Sequence, residues 1–246
     1  MTLSGTRSRN IFDPSDPAPY PLSRSKLELF LECPRCFYLD RRMGVGRVDG
    51  PPFTLNLAVD HLMKKEFDYF RTRNEAHPAM DLHGIEGVPL RHKDLNTWRD
   101  TPAGLRFVHT PSNFDVFGLL DDVWQMHDGS LAAVDYKATS TEAVITLDNR
   151  AGYKRQLEVY QWLLRHNGFT VSNTGYFVFV NAVKDRDMFD RTLEFSLSIL
   201  PYEGSDAWVE DALTGAHECL MNDVPPPSTN SCEWCAYRNA AKEGEK

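Results

Sequence analysis

Apolar and polar positions along the chain change their period more than once, and each change predicts an element. After Ser23, which has the side chain of a helix N-cap, Leu27, Phe30 and Leu31 recur at helical spacing. Gly44, Gly46, Gly50 and the Pro51-Pro52 pair break that pattern. A second helix is predicted from about Leu57 to Arg73, and residues 74–104 form a weakly patterned region of helix and loop. Strand-like runs follow in 114-FDVFGLLDDVWQM-126 and 131-LAAVDYKAT-139, with His127-Asp128-Gly129-Ser130 as the hairpin turn between them. Segment 149-NRAGYKRQLEVYQWLLRHNGF-169 returns to helical spacing through Tyr153, Leu157, Tyr160 and Leu164, and closes on Asn167-Gly168. Then 174-TGYFVFVNA-182 and 191-RTLEFSLSIL-200 read as strands, and 202–221 as a last helix stopped by Pro225-Pro226-Pro227. The proline-rich residues 1–21 read as an extended or disordered lead-in, and the tail 239–246 as frayed. No internal repeat is visible. The order predicts an α/β fold, a central sheet flanked by helices.

Composition narrows the class. The chain has 246 residues, 41% apolar and 25% charged, as expected for a globular protein with a sizeable core. No window approaches a signal-peptide core or a membrane span, so the expectation is a cytoplasmic protein with no membrane partner. A formal charge of −8 argues against nucleic-acid binding over the whole surface, but leaves room for a local basic strip. Five cysteines in a reducing compartment point to metal or cluster binding, or to buried thiols, more than to disulfides. Cys33 and Cys36 form one C-x-x-C pair, and Cys232 and Cys235 a second. Together they can supply four thiolates to zinc or to an iron–sulfur cluster. Cys219 has no close partner and reads as a buried thiol.

The strand pair carries the other candidate chemistry. Acidic residues in a strand are costly to bury unless something pairs with them. Asp121 and Asp122 fall in one predicted strand, Asp135 and Lys137 in the next, and the last two share a face because strand side chains alternate. A two-residue Asp128-Gly129 loop pairs Asp122 with Asp135. A three-residue loop over 128–130 pairs Asp121 with Lys137 and puts Asp121 on the face of Asp135. The pattern leaves this open. Two carboxylates and a lysine on one face can hold Mg²⁺ or Mn²⁺ and steady an attacked phosphodiester. A solvent-facing ion pair is the alternative.

Four motifs in order, 22-LSRSKLELFLECPRCFYL-39, 118-GLLDDV-123, 134-VDYKA-138 and 156-QLEVY-160, resemble the PD-(D/E)XK nuclease superfamily. The similarity is to its RecB-like branch with cysteine-bound clusters, which includes the CRISPR-associated adaptation exonucleases. The resemblance implies a restriction-endonuclease-like core with a central mixed sheet, its N- and C-terminal segments joined by a four-cysteine site, and a nuclease domain over 22–238. It implies Asp121 and Asp135 as ligands for Mg²⁺ or Mn²⁺, Lys137 as the catalytic lysine, and Gln156 and Tyr160 as substrate-binding residues. An early helix would complete the metal shell through His61, with Asp60 and Glu66 as competitors; Lys64 and Lys65 are candidates for phosphate. The activity implied is a DNA exonuclease on single-stranded ends in repair, recombination or CRISPR adaptation, with a helicase or adaptation proteins as partners.

The family cluster takes one N-terminal and three C-terminal cysteines, whereas here Ala241 stands at the last of these and Cys36 is additional. A [4Fe–4S] cluster is the family expectation, with structural Zn²⁺ as its rival and Cys219 as a substitute ligand. Arg35, Arg41, Arg42 and Arg47, with Phe37, Tyr38 and Trp234, could meet single-stranded DNA or cover the cluster. The non-enzymatic alternative is a DNA-binding or assembly module on the same fold.

Overall fold

The computed structural model describes residues 6–48, 50, 53–100 and 102–244; residues 1–5 of the lead-in, the Pro51-Pro52 breaker and the last two residues of the tail lie outside these. Contacts divide the chain into two compact units. One holds the described residues of Met1–Pro51, Phe107–Phe117 and Ala207–Lys246; the other holds those of Pro52–Arg106 and Gly118–Asp206.

In the first unit, strand β1 (Tyr20–Ser23) leads into helix α1 (Arg24–Glu32), and α2 (Pro34–Arg42) follows at once. The sequence pattern does not separate these two helices. Cys33 ends α1 and begins α2, in an extended conformation at φ −160° and ψ 101°. Proline forces this, because it disfavours helical dihedrals in the preceding residue while fitting the first turn of its own helix. Ser23 starts α1 with extended backbone, but its hydroxyl pairs with Ser25 and not with the helix amides. The N-terminal segment from residue 6 to 19 carries no helix or strand, yet it is tied down. Phe12 is buried against Tyr20, Phe114 and His217, and Arg7 reaches Asp40. Asp40 is buried beneath Arg7, Lys26 and Arg41. Burial alone would raise its pKa, but hydrogen bonds and charge from these three cations hold it at about 2. The last helices, Val209–Met221 and Glu233–Gly244, complete the unit, so residues 239–244, expected to fray, continue a helix.

The second unit opens with α3 (Thr54–Arg73), closed by Asn74 in the left-handed conformation at φ 57°. The weakly patterned region resolves into a short helix α4 (Pro78–Leu82), strand β2 (Gly87–Pro89) and helix α5 (Leu95–Arg99). Further on, the run 114–126 proves to be two strands. β4 (Phe114–Gly118) pairs in parallel with β1 and borders β3 (Leu105–His109) on its other side, while β5 (Asp122–Met126) belongs to a second sheet. That sheet joins β5 and β6 (Leu131–Thr139) to β7 (Thr174–Ala182) and β8 (Phe195–Glu203), in the order β2-β5-β6-β7-β8.

Within this five-stranded sheet β6 and β7 run parallel, and the crossover between them carries helix α6 (Ala151–His166). Met63 and Phe67 of α3 join Trp124, Ala132, Val134, Tyr136, Val178 and Ile199 in one core cluster. Alternation turns Ala133, Asp135 and Lys137 to the opposite face, where Gln156 of α6 meets Asp135 and Lys137. None of the described helices is long and apolar enough to cross a membrane.

Candidate active site and cysteine centre

The turn between β5 and β6 decides which aspartate joins Asp135, and it matches neither expected loop. Met126 N–H donates to the Ser130 carbonyl, so the loop is 127–129, and Asp122 pairs with Val134. Asp122 therefore faces the α3 side, and it is fully buried. It accepts from Arg71 (2.5 Å), Arg99 (3.0 Å), the Tyr136 hydroxyl (2.6 Å) and its own strand at the Val123 amide (2.8 Å). Oδ1 takes three of these donors and Oδ2 takes the Tyr136 hydroxyl, which makes Asp122 a structural anion.

Asp121 sits in the bend just before β5, and its Oδ2 accepts the Tyr136 amide at 3.0 Å. That bond ties it to the strand bearing Asp135 and Lys137. Lys64 of α3 bridges it to Asp60, at 3.0 Å to Asp121 and 2.8 Å to Asp60. Asp135 is fully buried, with its Oδ2 in ion-pair contact with Lys137 and its Oδ1 accepting from Gln156 at 2.8 Å. Burial pushes its pKa up, the nearby Asp121 charge adds to this, and Lys137 only partly offsets them, leaving it at about 7. Burial would lower the Lys64 pKa, but Asp121 and Asp60 outweigh it and raise it.

Gln156 is oriented by its partners. Its amide nitrogen donates to Asp135 and to the Tyr160 hydroxyl at 2.8 Å each, and its oxygen accepts from Lys137 at 3.3 Å. Tyr160 can lie this close because Gly118 has no side chain: a Cβ there would come within 2.8 Å of the Tyr160 ring. The Lys137 ammonium also stands 4.5 Å from the Tyr153 ring centroid. Tyr153 lines a cavity of about 660 Å³ with Phe53, Asn56, Leu57, Asp60 and Lys137.

The structure thus brings together Asp121, Asp135, Lys137, Gln156 and Tyr160. His61 is exposed, and among the described residues no group of three His, Asp or Glu side chains that includes it converges on the carboxylate pair. Its neighbours Asp60 and Lys64, one helical turn apart, hold the face turned to the site, which rotates His61 away. Glu66 is engaged by His77 at 3.0 Å. Two contributors carry no motif signal: Arg99, which grips the Asp121 carbonyl at 2.9 Å, and Tyr153.

The cysteines of the first unit converge as the sequence suggests. Cys33 and Cys36 lie at the α1–α2 junction and one turn into α2, and Cys232 and Cys235 frame the start of the last helix. All four are buried, and their sulfurs lie within 4.8 Å of one another. They are suited to hold a metal ion or cluster. Burial opposes ionisation of Cys33, but backbone hydrogen bonds from Thr229 and Cys36 lower its pKa to about 6. Cys219 stands apart, its thiol directed to the Pro34 carbonyl.

The arginines and aromatic residues near the clasp are mostly committed to structure. Arg41 is buried on Asp40, Arg42 and Arg35 donate to the carbonyls of Phe12 and Pro226, Phe37 is in the core, and the buried Tyr38 donates to the Asn222 carbonyl. Arg47 covers the thiols, which leaves Trp234 as the half-exposed ring of that set.

No curated protein is significantly similar to the chain. A solved structure, titled as the crystal structure of SSO0001, aligns over 84% of this chain and 79% of that one, at 14% identity and a TM-score of 0.40. The sequence model of the PD-(D/E)XK nuclease superfamily matches residues 53–240, and by that match over most of its length the chain belongs to the PD-(D/E)XK nuclease superfamily.

Proposed function

We propose that the chain is a Mg²⁺- or Mn²⁺-dependent deoxyribonuclease of the RecB-like kind, an exonuclease on single-stranded ends that serves repair, recombination or CRISPR adaptation. The superfamily carries nuclease activity on DNA, usually with divalent metals. The observation that carries the finer reading is the convergence of Asp121, Asp135 and Lys137, locked by Gln156.

The donor set fits the cation: two carboxylates offer hard oxygen ligands, and a cation would offset both the burial that raises the pKa of Asp135 and the Asp121 charge that adds to it. A divalent ion bound there would polarise the phosphodiester and ionise a water. Asp121 and Asp135 hold the ion in this scheme, and Asp60, joined to Asp121 through Lys64, is the favoured acid of α3. Lys137 orients the attacking water and offsets the charge that builds on the phosphate oxygens. Gln156 keeps Lys137 and Asp135 in register, and Tyr160 keeps Gln156. The cavity beside Lys137 supports a single-stranded substrate, since an unstacked base can lie against Tyr153.

The test is cleavage of end-labelled single-stranded DNA with Mn²⁺. Lys137→Ala and Asp135→Ala should each lose about 100-fold or more in rate. Variants that cut as fast as wild type would sink the reading, and binding without turnover in wild type would favour the assembly module.

A further inference from the structure

We propose that the four cysteines hold one tetrahedral zinc ion and not the [4Fe–4S] cluster that the family resemblance implies. All four cysteines belong to the first unit, and the metal they hold is independent of the nuclease reading. The Cys36 sulfur lies 3.5 Å from that of Cys232 and 3.6 Å from that of Cys235, and the Cys33 and Cys235 sulfurs are 3.8 Å apart. Sulfurs about 2.3 Å from a zinc ion at tetrahedral corners stand about 3.8 Å from one another. A cubane cluster binds each thiolate to its own iron at a corner, with inorganic sulfide between, so its ligand sulfurs stand much farther apart. No pair here exceeds 4.8 Å. The space enclosed suits a single ion.

The pairing of the ligands agrees. Each C-x-x-C contributes two thiolates from the start of a helix, the two-plus-two arrangement of closed structural zinc sites. Four thiolates around a divalent ion leave two negative charges, and two guanidiniums meet them. Arg238 donates to Cys235 at 3.2 Å and to Cys36 at 3.7 Å, and Arg47 donates to Cys232 at 3.8 Å while paired with Glu32. These arginines would suit any anionic centre; the sulfur spacing selects the zinc. Arg47 and Arg238 are assigned as positioning residues that hold the thiolates inward.

The experiment supplies both zinc and iron during expression, isolates the chain anaerobically, and measures zinc, iron and acid-labile sulfide. About one zinc per chain is expected. Cobalt in its place should give the thiolate charge-transfer and tetrahedral ligand-field bands, weakened or lost in Cys232→Ser. About four irons with matching sulfide, or a folded chain free of metal, would overturn the proposal. Arg238→Ala should give up its zinc to a competing chelator at about 10- to 100-fold lower chelator concentration. Release unchanged from wild type would remove the arginine from the assignment.

Discussion

Neighbouring aspartates with opposite duties make a sharp test. Asp122→Ala deletes the common acceptor of Arg71, Arg99 and the Tyr136 hydroxyl, all inside the second unit. Breaking a buried pair by removing one partner costs about 3–5 kcal/mol, because the remaining charge stays desolvated. Arg71 and Arg99 both keep Asp68, and Arg71 keeps the Leu90 carbonyl, which puts the expected loss at about 3–4 kcal/mol. At about 2–4 °C per kcal/mol for a domain of this size, the midpoint should fall by about 6–16 °C. Asp121→Ala removes a carboxylate that is 22% exposed, together with one amide hydrogen bond and a partly solvated contact to Lys64. It also relieves repulsion with Asp135, so stability should change by about 1 kcal/mol or less. Urea unfolding gives the stabilities, with equal slopes required for the comparison, and DNA cleavage gives activity. The expected pattern is a stable, inactive Asp121→Ala and an unstable Asp122→Ala. A stable, inactive Asp122→Ala beside an active Asp121→Ala would refute the assignment and the register behind it.

Three further outcomes follow from the same geometry. Asp40 has a folded pKa near 2 against an ordinary value of 3.8, so its stabilisation is present above about pH 4 and is lost as pH falls towards 2. The loss should reach about 2 kcal/mol, and Asp40→Asn should flatten the dependence of unfolding free energy on pH in that window. Gly118→Ala should cost about 1–3 kcal/mol by pressing on Tyr160, and the displaced Gln156 should lower kcat; unchanged melting and activity would contradict the packing. Tyr153→Ala should raise KM for single-stranded DNA with a smaller effect on kcat, and equal losses with duplex and single strand would speak against base stacking in the cavity.

The strong local signals in the sequence map directly onto the fold. Residues 149–169 and 174–182 carry period and stop signals that give α6 and β7 within a few residues. The 114–126 run is harder: Leu119 and Leu120 continue the apolar pattern across a break, and only Gly118 marks where one sheet is left and another entered. Sequence could also not fix the turn, because Asp128-Gly129 fits several loop lengths. The loop 127–129 still places Asp121 on the Asp135 face, since alternation depends on the parity of the register. Asp122 is a different case. Its partners Arg71 and Arg99 lie 51 and 23 residues away, and no local rule connects an arginine late in a helix with an aspartate in a strand. His61 shows how finely a helix divides its neighbours: one residue along from Asp60, which pairs with Lys64 beside Asp121, its side chain is exposed.

The clasp also sets a timetable for biosynthesis. Cys36 and Cys232 are separated by 196 residues, so the first thiols emerge from the ribosome long before their partners. At about 5–20 residues per second that interval is on the order of 10–40 seconds. The second unit, apart from the 107–117 excursion, is one stretch that is complete by residue 206, while the first needs the last segment of the chain. Folding on the ribosome is therefore expected to run from the middle outwards, with the four-cysteine centre closed last and Cys33 and Cys36 open to oxidation until then. Alkylation of stalled nascent chains should find both thiols reactive before residue 235 has emerged and protected after it.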